Sequence, residues 1–594
     1  MRTDLAGWSI TVQKAWAPKA SFLSCLCFWQ PWASSYSDTG FNACCDLLTG
    51  EKQQLCCDLL LPAETSQRER PYAWLTMWMG AKWMQGFKCR LYLSSMSVAF
   101  GCGFLIYSTY VTNNIQIVGE RWLNESFVRV HGYAPQPESI SLLWAAVIAS
   151  KEVGKVVGTF LIPLVAEGLG RRGGLLANCL LTFFGCFLAW ASLHLPYYVL
   201  MLARFCLGVS MILGVGLGSL YLIEVAPTSA RGITGALIQI FRGFGGTMGM
   251  VFTLPEIMGT ERLWTLALAL PALPTLLQFL VLLRSPESPR HLLITAGREA
   301  AAEQALRFYQ GSAAVPAALA DLRSERQRIR ATTDKLGCWA LLRRPAFLRP
   351  VGLTVLALTN RSLAGILPVQ TYSTDMFMST GLGHQWASYS TVGLGLCHLA
   401  SAIAVTFSVE RRGRRGLLLG GNLACLLCLS AVALFSHISI QDREQAASLS
   451  RVLTVLSLAA FMLVYPVVAS VSNIVASELC HQKIRSAAFT VGLLAYSLVG
   501  FISTFAYPLL KRYMGLSWSY VPSCLSLLFT LAIYYHYLPE TRGKSFESLF
   551  FEVEEKAGLL KGDRRPLIFA DSCSLVGASS DEASDSDDAL HPHL

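Results

Sequence analysis

Twelve stretches of 20 or more mostly apolar residues interrupt the polar positions of this chain, at roughly 91–111, 140–166, 174–193, 198–223, 233–254, 263–283, 351–376, 387–409, 416–437, 452–476, 488–510 and 517–538. An α-helix needs about 20 such residues to cross the hydrocarbon core of a bilayer, so the pattern predicts twelve membrane-spanning helices, numbered here as spans 1 to 12. Connections such as His194-Leu195-Pro196-Tyr197 allow only antiparallel neighbours. The polar positions between spans are unevenly charged. Arg171-Arg172, Arg231, Arg411-Arg412, Arg414-Arg415, Lys483 and Arg485 fall on one side, with Arg323, Arg326, Arg328, Arg330, Arg343 and Arg344 of the long 285–350 segment. The positive-inside rule makes that side cytoplasmic, with both termini inside. Loop 112–139 then faces outward, where Asn124-Glu125-Ser126 is an N-glycosylation sequon.

Composition supports this class. Of 594 residues, 53% are hydrophobic and 14% charged, against about 25% charged in a soluble domain. The same arithmetic excludes disorder and collagen, and a disulfide-stapled module is excluded because the 18 cysteines lie mostly in apolar runs where a thiol packs as a small hydrophobe. A formal charge of +10 is no nucleic-acid signal when the basic residues sit in short loops. The expected organisation is a poorly ordered cytoplasmic extension (1–87), an N-terminal six-helix half (88–284), a cytoplasmic segment of short helices (285–350), a C-terminal six-helix half (351–540), and a cytoplasmic tail (541–594) that ends acidic and disordered. The extension repeats Cys44-Cys45-Asp46-Leu47-Leu48 as Cys56-Cys57-Asp58-Leu59-Leu60. Adjacent cysteines point apart and make a poor metal site, so no metal or other cofactor is expected.

Three motifs occur twice. Gly170-Arg171-Arg172 after span 2 matches Gly413-Arg414-Arg415 after span 8, an offset of 243 residues. Glu224 with Arg231 after span 4 matches Glu478 with Arg485 after span 10, with an offset of 254 and the same seven-residue step. Pro286-Glu287 after span 6 matches Pro539-Glu540 after span 12, at an offset of 253. The chain is therefore two duplicated halves of six spans, the plan of the major facilitator superfamily, in which substrate binds between halves near the midplane. The paired acids and arginines predict a salt-bridge network at the cytoplasmic rim that forms and breaks as a cavity closes and opens. Gly243, Gly245, Gly246 and Gly249 in span 5, and Gly214, Gly216 and Gly218 in span 4, predict close helix approach.

The strings Glu167-Gly-Leu-Gly-Arg-Arg, Glu224-Val-Ala-Pro-Thr-Ser-Ala-Arg-Gly232, Pro286-Glu-Ser-Pro-Arg290, Glu410-Arg-Arg-Gly-Arg-Arg and Leu538-Pro-Glu-Thr-Arg-Gly-Lys544 resemble the signatures of the facilitative glucose transporter (sugar porter) family over about residues 88–550. The resemblance implies an all-α membrane protein that transports a small solute by alternating access. At the substrate site the likeness fades. Gln239 in span 5 matches the family's sugar-contacting glutamine. Where the family has Gln-Gln-Leu-Ser-Gly-Val-Asn in span 7, this chain has Arg361-Ser362-Leu363-Ala364-Gly365-Ile366-Leu367. Asn473 stands near the place of the span 10 tryptophan, and Ala495-Tyr496 replaces the Asn-Trp pair of span 11.

Hexose recognition needs several neutral donor–acceptor groups, and a site that loses them loses hexose selectivity steeply. Here intramembrane charges take their place: Arg242, three residues beyond Gln239, and Arg361, with Lys151, Glu152 and Lys155 in span 2. Charges at this depth are expected to face the cavity or one another. The expected substrate-binding set is Gln239, Arg242, Arg361, Ser362, Asn473 and Tyr496, suited to an organic anion whose carboxylate meets the guanidinium fork. The other reading of these charges is an internal salt-bridge network, favoured for span 2, where Glu152 neutralises Lys155 and Lys151 snorkels towards an interface. Proton-driven members of the family carry an Asp in span 1; this span 1 has no carboxylate, so a uniporter is expected, with Glu152 the remaining candidate proton-binding group. A hexose uniporter and a non-transporting receptor on the same fold stay open, while no motif points to an enzyme or a nucleic-acid binder. Glu555, Leu559 and Leu560 resemble an acidic dileucine sorting signal for an adaptor, though the preferred reading is one apolar face of an amphipathic cytoplasmic helix continuing from Phe546, Leu549 and Phe550. The plasma membrane is the expected residence, with endosomal or lysosomal membranes as the alternative.

Overall fold

The computed structural model describes residues 86–227, 230–331, 345–408, 413–441, 446–479 and 482–541. All twelve expected spans are helical over most of their length. Span 1 divides into α1 (Gly86–Phe104) and α2 (Tyr107–Tyr110), followed by α3 (Gln116–His131) in the loop. Spans 2 to 5 are α4 (Pro137–Gly168), α5 (Gly170–Ala191), α6 (Tyr197–Val225) and α7 (Arg231–Phe252). Span 6 divides at Pro271 into α8 (Trp264–Ala269) and α9 (Ala272–Arg284). Two short helices follow, α10 (Glu299–Gln310) and α11 (Val315–Ala331). Span 7 divides into α12 (Pro345–Leu363) and α13 (Ile366–Ser379). Spans 8 to 12 are α14 (His384–Ser408), α15 (Arg414–Gln441), α16 (Ala446–Glu478), α17 (Gln482–Met514) and α18 (Val521–Tyr537).

Among the described residues, nine of the spans, counting each broken span as one, are long and apolar enough to cross a membrane. The remaining spans fall short for local reasons. Span 2 holds Lys151, Glu152 and Lys155, span 5 holds Arg242 among its glycines, and α18 has only 17 residues. Large apolar side chains such as Phe160, Leu164, Leu180, Phe184, Phe187 and Leu280 stay exposed along the outward helix faces, a surface that lipid solvates and water does not.

The glycines do what their spacing predicts, against identifiable partners. A Cβ on Gly245 would lie 2.8 Å from Phe104 Cα, and one on Gly246 would lie 2.7 Å from the Tyr110 ring, so span 5 sits directly on the break in span 1. Gly243 and Gly395 bring spans 5 and 8 together, sealed by the Thr247 hydroxyl donating to Gly395 O at 2.8 Å. The halves meet along α4 with α17 and along α7 with α14, contacts related to each other by the duplication. Among the described glycines the tightest approach to backbone is between spans 2 and 4, where a Cβ on Gly208 would stand 2.0 Å from Lys151 O. A methyl group there must push backbone apart, so Gly208→Ala is expected to destabilise the protein by about 1–3 kcal/mol. Thermal unfolding of the purified protein in detergent measures this, and an unchanged midpoint would show that the two helices part freely.

Near the middle of the bundle the two first helices of the duplicated halves both break. Span 7 turns at Gly365 (φ +76°), where a Cβ would meet Ser523 Oγ at 2.6 Å, and is non-helical again at Tyr372. Beyond the breaks the two segments bind each other. Asn113 Nδ2 donates to Gln370 O (2.6 Å), Gln370 Nε2 to Tyr110 OH (2.6 Å), Ser373 N to Asn113 Oδ1 (2.7 Å) and Thr374 Oγ1 to Asn114 Oδ1 (2.7 Å). Three of these pairs are separated by the same 260 residues, so the segments run parallel in constant register. An ion pair between Arg512 and Glu138, and Tyr389 OH donating to Glu256 Oε1 at 2.9 Å, join the halves at the same end of the bundle. The end that carries the sequon loop is therefore closed by polar contacts between halves.

Candidate functional site

At the opposite, arginine-rich end, the duplicated motifs assemble into two copies of one device. Gly170 takes φ +77° and starts α5, exposing the first amides of that helix. The Glu287 carboxylate accepts them, from Arg171 N (3.0 Å) and from Arg172 N (2.9 and 3.0 Å). A carboxylate on a helix N-terminus satisfies orphan donors and meets the positive end of the helix dipole. A Cβ on Gly170 would strike that carboxylate at 2.5 Å. In the second half, Glu540 accepts Arg414 N (2.8 Å) and Arg415 N (3.2 Å) at the start of α15, and a Cβ on Gly413 would lie 2.7 Å from it. The Gly-Arg-Arg and Pro-Glu motifs are thus two sides of one contact, a relation that their similar offsets do not name.

The arginine side chains complete each copy. Arg171 sets Nε and Nη2 on Glu224 Oε1 at 3.2 and 3.0 Å, while the Ser288 hydroxyl donates to Glu224 Oε2. His291 Nδ1 lies 2.7 Å from Arg171 Nη1. Burial, and then the Arg171 charge, hold His291 below the ordinary histidine pKa, so its neutral ring accepts that bond. Arg414 Nε stands 3.6 Å from Glu478 Oε1, and Thr541 donates to the other oxygen. Arg172 and Arg415 cap carbonyls instead, at Leu282 O (2.8 Å) and Tyr535 O (2.8 Å). One expected member does not join. Arg231 is exposed and has no ion-pair partner among the described residues, because Glu224 is taken by Arg171. The Arg485 side chain and the segment holding Glu555, Leu559 and Leu560 lie outside the described residues, as does the extension before residue 86.

Between the two ends, charged and aromatic side chains converge around the break in span 7. Arg361 occupies the last turn of α12, where a cation faces the negative end of the helix. Its Nη1 donates to Asn473 Oδ1 at 3.1 Å, and its guanidinium lies 4.9 Å from the centre of the Tyr496 ring. Tyr465 OH donates to Arg361 O (3.2 Å), and Ser362 Oγ to Tyr496 O (2.9 Å). From the other half, Lys155 Nζ sits 5.1 Å from the same Tyr496 ring, so one aromatic face system holds cations of both halves. Arg242 is half-buried within electrostatic range of Arg361, Tyr496, Tyr465 and Tyr110. Neither Arg242 nor Arg361 has a carboxylate at ion-pair distance among the described residues, and Arg361 Nε has no hydrogen-bond partner there. Gln239 is half-buried and makes no side-chain hydrogen bond among the described residues.

Span 2 forms a compact ion cluster, with one departure from expectation. Lys155 pairs with Glu152, as the three-residue step predicts. Lys151 does not snorkel: it is wholly buried, donates to Thr109 Oγ1 at 2.6 Å, and lies 3.4 Å from Glu152 Oε1. The tight α4–α6 contact gives its stem no path to an interface. Two further ionisable side chains inside the bundle escape the sequence reading. His398 is flanked by Tyr110 and Tyr465 at 6.2 Å between ring centres, and Arg204 is buried against Ser108. Both lie within expected spans, 4 and 8, where an ionisable residue is itself the signal. No group of three His, Cys, Asp or Glu suited to a metal occurs among the described residues. The sequon lies inside α3, with Asn124 half-buried and Ser126 buried.

The fold has counterparts in known proteins. The profile of the family described as sugar (and other) transporter matches residues 95–550. Human solute carrier family 2, facilitated glucose transporter member 7, is 32% identical over 464 residues, covering 77% of this chain and 88% of its own. Member 1 from Gallus gallus is 29% identical over 495 residues, covering 83% and 98%. Among solved structures, the major facilitator superfamily proton:xylose symporter XylE bound to 6-bromo-6-deoxy-D-glucose aligns with a TM-score of 0.60 at 21% identity, covering 79% of this chain and 99% of its own. The inward-open conformation of the xylose transporter XylE from E. coli aligns equally, at 0.60 and 21%, covering 77% and 99%. These structures share the fold, and the profile shows the lineage: the chain is a multi-pass membrane carrier that belongs to the sugar (and other) transporter family.

Proposed function

We propose that this carrier moves a small organic anion by alternating access, binding it between the halves at Arg242 and Arg361 with Asn473, Tyr496, Ser362 and Gln239 around it. The observation that carries the reading is a pair of intramembrane guanidinium groups with no carboxylate partner among the described residues. Charges at that depth need a counter-charge or a water-filled cavity, and a carboxylate solute supplies the former with two oxygens matched to the fork. The two rim devices are the elements that part and re-form as the halves rock, with the arginine-rich end cytoplasmic and loop 112–139, glycosylated at Asn124, outside. Transport is uniport: Glu152 is held between two lysines, which leaves it poorly placed to carry a proton.

A second reading keeps a sugar as substrate. Relatives named as facilitated glucose transporters, and a Gln239 whose amide has no protein partner among the described residues, favour it. Uptake into proteoliposomes of purified protein separates the two, with labelled hexoses tested beside labelled monocarboxylates and urate-like anions. Saturable anion uptake is expected. Saturable hexose uptake without anion uptake would overturn the proposal and make both arginines structural. No uptake of either by folded protein would favour a receptor on the same fold.

A further inference from the structure

We propose that the break in span 1 holds a second site, for a compact inorganic anion such as chloride, built by Arg204 and Lys151 and separate from the solute site at Arg361. Arg204 is 1% exposed; its Nη1 donates to Ser108 O, while Nε and Nη2 have no hydrogen-bond partner among the described residues. Lys151, fully buried, donates to the hydroxyl of the next residue, Thr109, at 2.6 Å. Two cations from spans 4 and 2 therefore converge on consecutive residues of the broken helix. Arg204 lies one turn before Gly208, on the same face of α6, and that face packs on the Lys151 backbone.

The local charge does not balance. Lys151, Lys155 and Arg204 share one buried carboxylate, Glu152, which Lys155 engages through Oε2 and Lys151 approaches at Oε1. Neutral groups among the described residues also face the Lys151–Arg204 pair: Thr109 with Met211 behind it, and Tyr372, whose hydroxyl donates to Thr504 O at 3.3 Å. A buried cation with two unanswered N–H donors on one edge calls for an anionic acceptor there. The acceptor must be small, because the backbones of α4 and α6 touch at this level, with a Cβ on Gly154 meeting Phe205 O at 2.2 Å. An anion in this position would fix the span 1 break whether or not solute is bound.

The test needs no transport, so its outcome is independent of the substrate proposed above. The thermal midpoint of the full-length protein in lipid nanodiscs is followed as chloride replaces gluconate at constant ionic strength. A saturable rise is expected in the wild type and in Arg361→Gln. Lys151→Met should need about tenfold more chloride for half its effect, the loss of one charge-assisted hydrogen bond, and Arg204→Gln should abolish the response. If Arg204→Gln does not fold, Lys151→Met decides. A midpoint indifferent to chloride would overturn the inference. So would a response kept by Lys151→Met and lost in Arg361→Gln, which would place the ion at the solute site.

Discussion

Replacing Arg361 by Gln is expected to lower carboxylate uptake, as initial rate over half-saturating concentration, by a factor of about 30 to about 4,000. The figure follows from deleting one member of a desolvated charge pair, about 2–5 kcal/mol. Gln keeps a group able to donate to Asn473 Oδ1, the bond Arg361 makes at 3.1 Å, so the change removes the fork and the charge while sparing the local packing. Arg361→Lys should fall between, because an ammonium restores the charge without the bidentate geometry. Neutral-solute uptake should be unaffected in all three proteins. Proteoliposome uptake at matched protein density measures the effect, and an Arg361→Gln protein that still moves carboxylates at the wild-type rate would place the solute elsewhere.

Glu152→Gln is expected to produce the largest loss of stability, about 3–5 kcal/mol, because breaking a buried ion cluster leaves the remaining charges uncompensated. Glu152 is the carboxylate that Lys151 and Lys155 share, with all three side chains at most 1% exposed. A second substitution distinguishes charge from shape. Glu152→Gln combined with Lys155→Met should recover most of the loss, since it removes one carboxylate and one ammonium together. Thermal unfolding of the four proteins of this cycle gives the coupling directly. Additive losses would mean that Glu152 matters through packing rather than charge. The same Glu152→Gln protein tests uniport: a pH-gradient response present in the wild type and lost in the variant would make Glu152 a proton carrier.

The order of events along the chain was open to reading from the sequence, because its causes are local. Twelve apolar stretches of membrane length make twelve helices wherever the backbone must satisfy itself in lipid. Arginine placement orders the ends, and three motifs repeated at nearly one offset expose the duplication. The Glu152–Lys155 pair was equally legible, since a three-residue step on a helix sets neighbours side by side.

What the sequence could not assign is which distant residues meet. Glu224 was matched by position with Arg231, seven residues on, yet it binds Arg171 from another helix, and Arg171 in turn takes His291 as a neighbour. Lys151 looked able to reach an interface until Gly208 and Gly154 closed α4 onto α6. The span 1–span 7 ladder of Asn113, Asn114, Gln370, Ser373 and Thr374 consists of common polar residues with no spacing signature. Composition and period therefore determined the spans, the duplication and the presence of costly charges at depth. The partners of those charges were decided by the tertiary structure alone, because hydrogen bonds and ion pairs act over a few ångströms, and only folding brings residues 260 positions apart within that range.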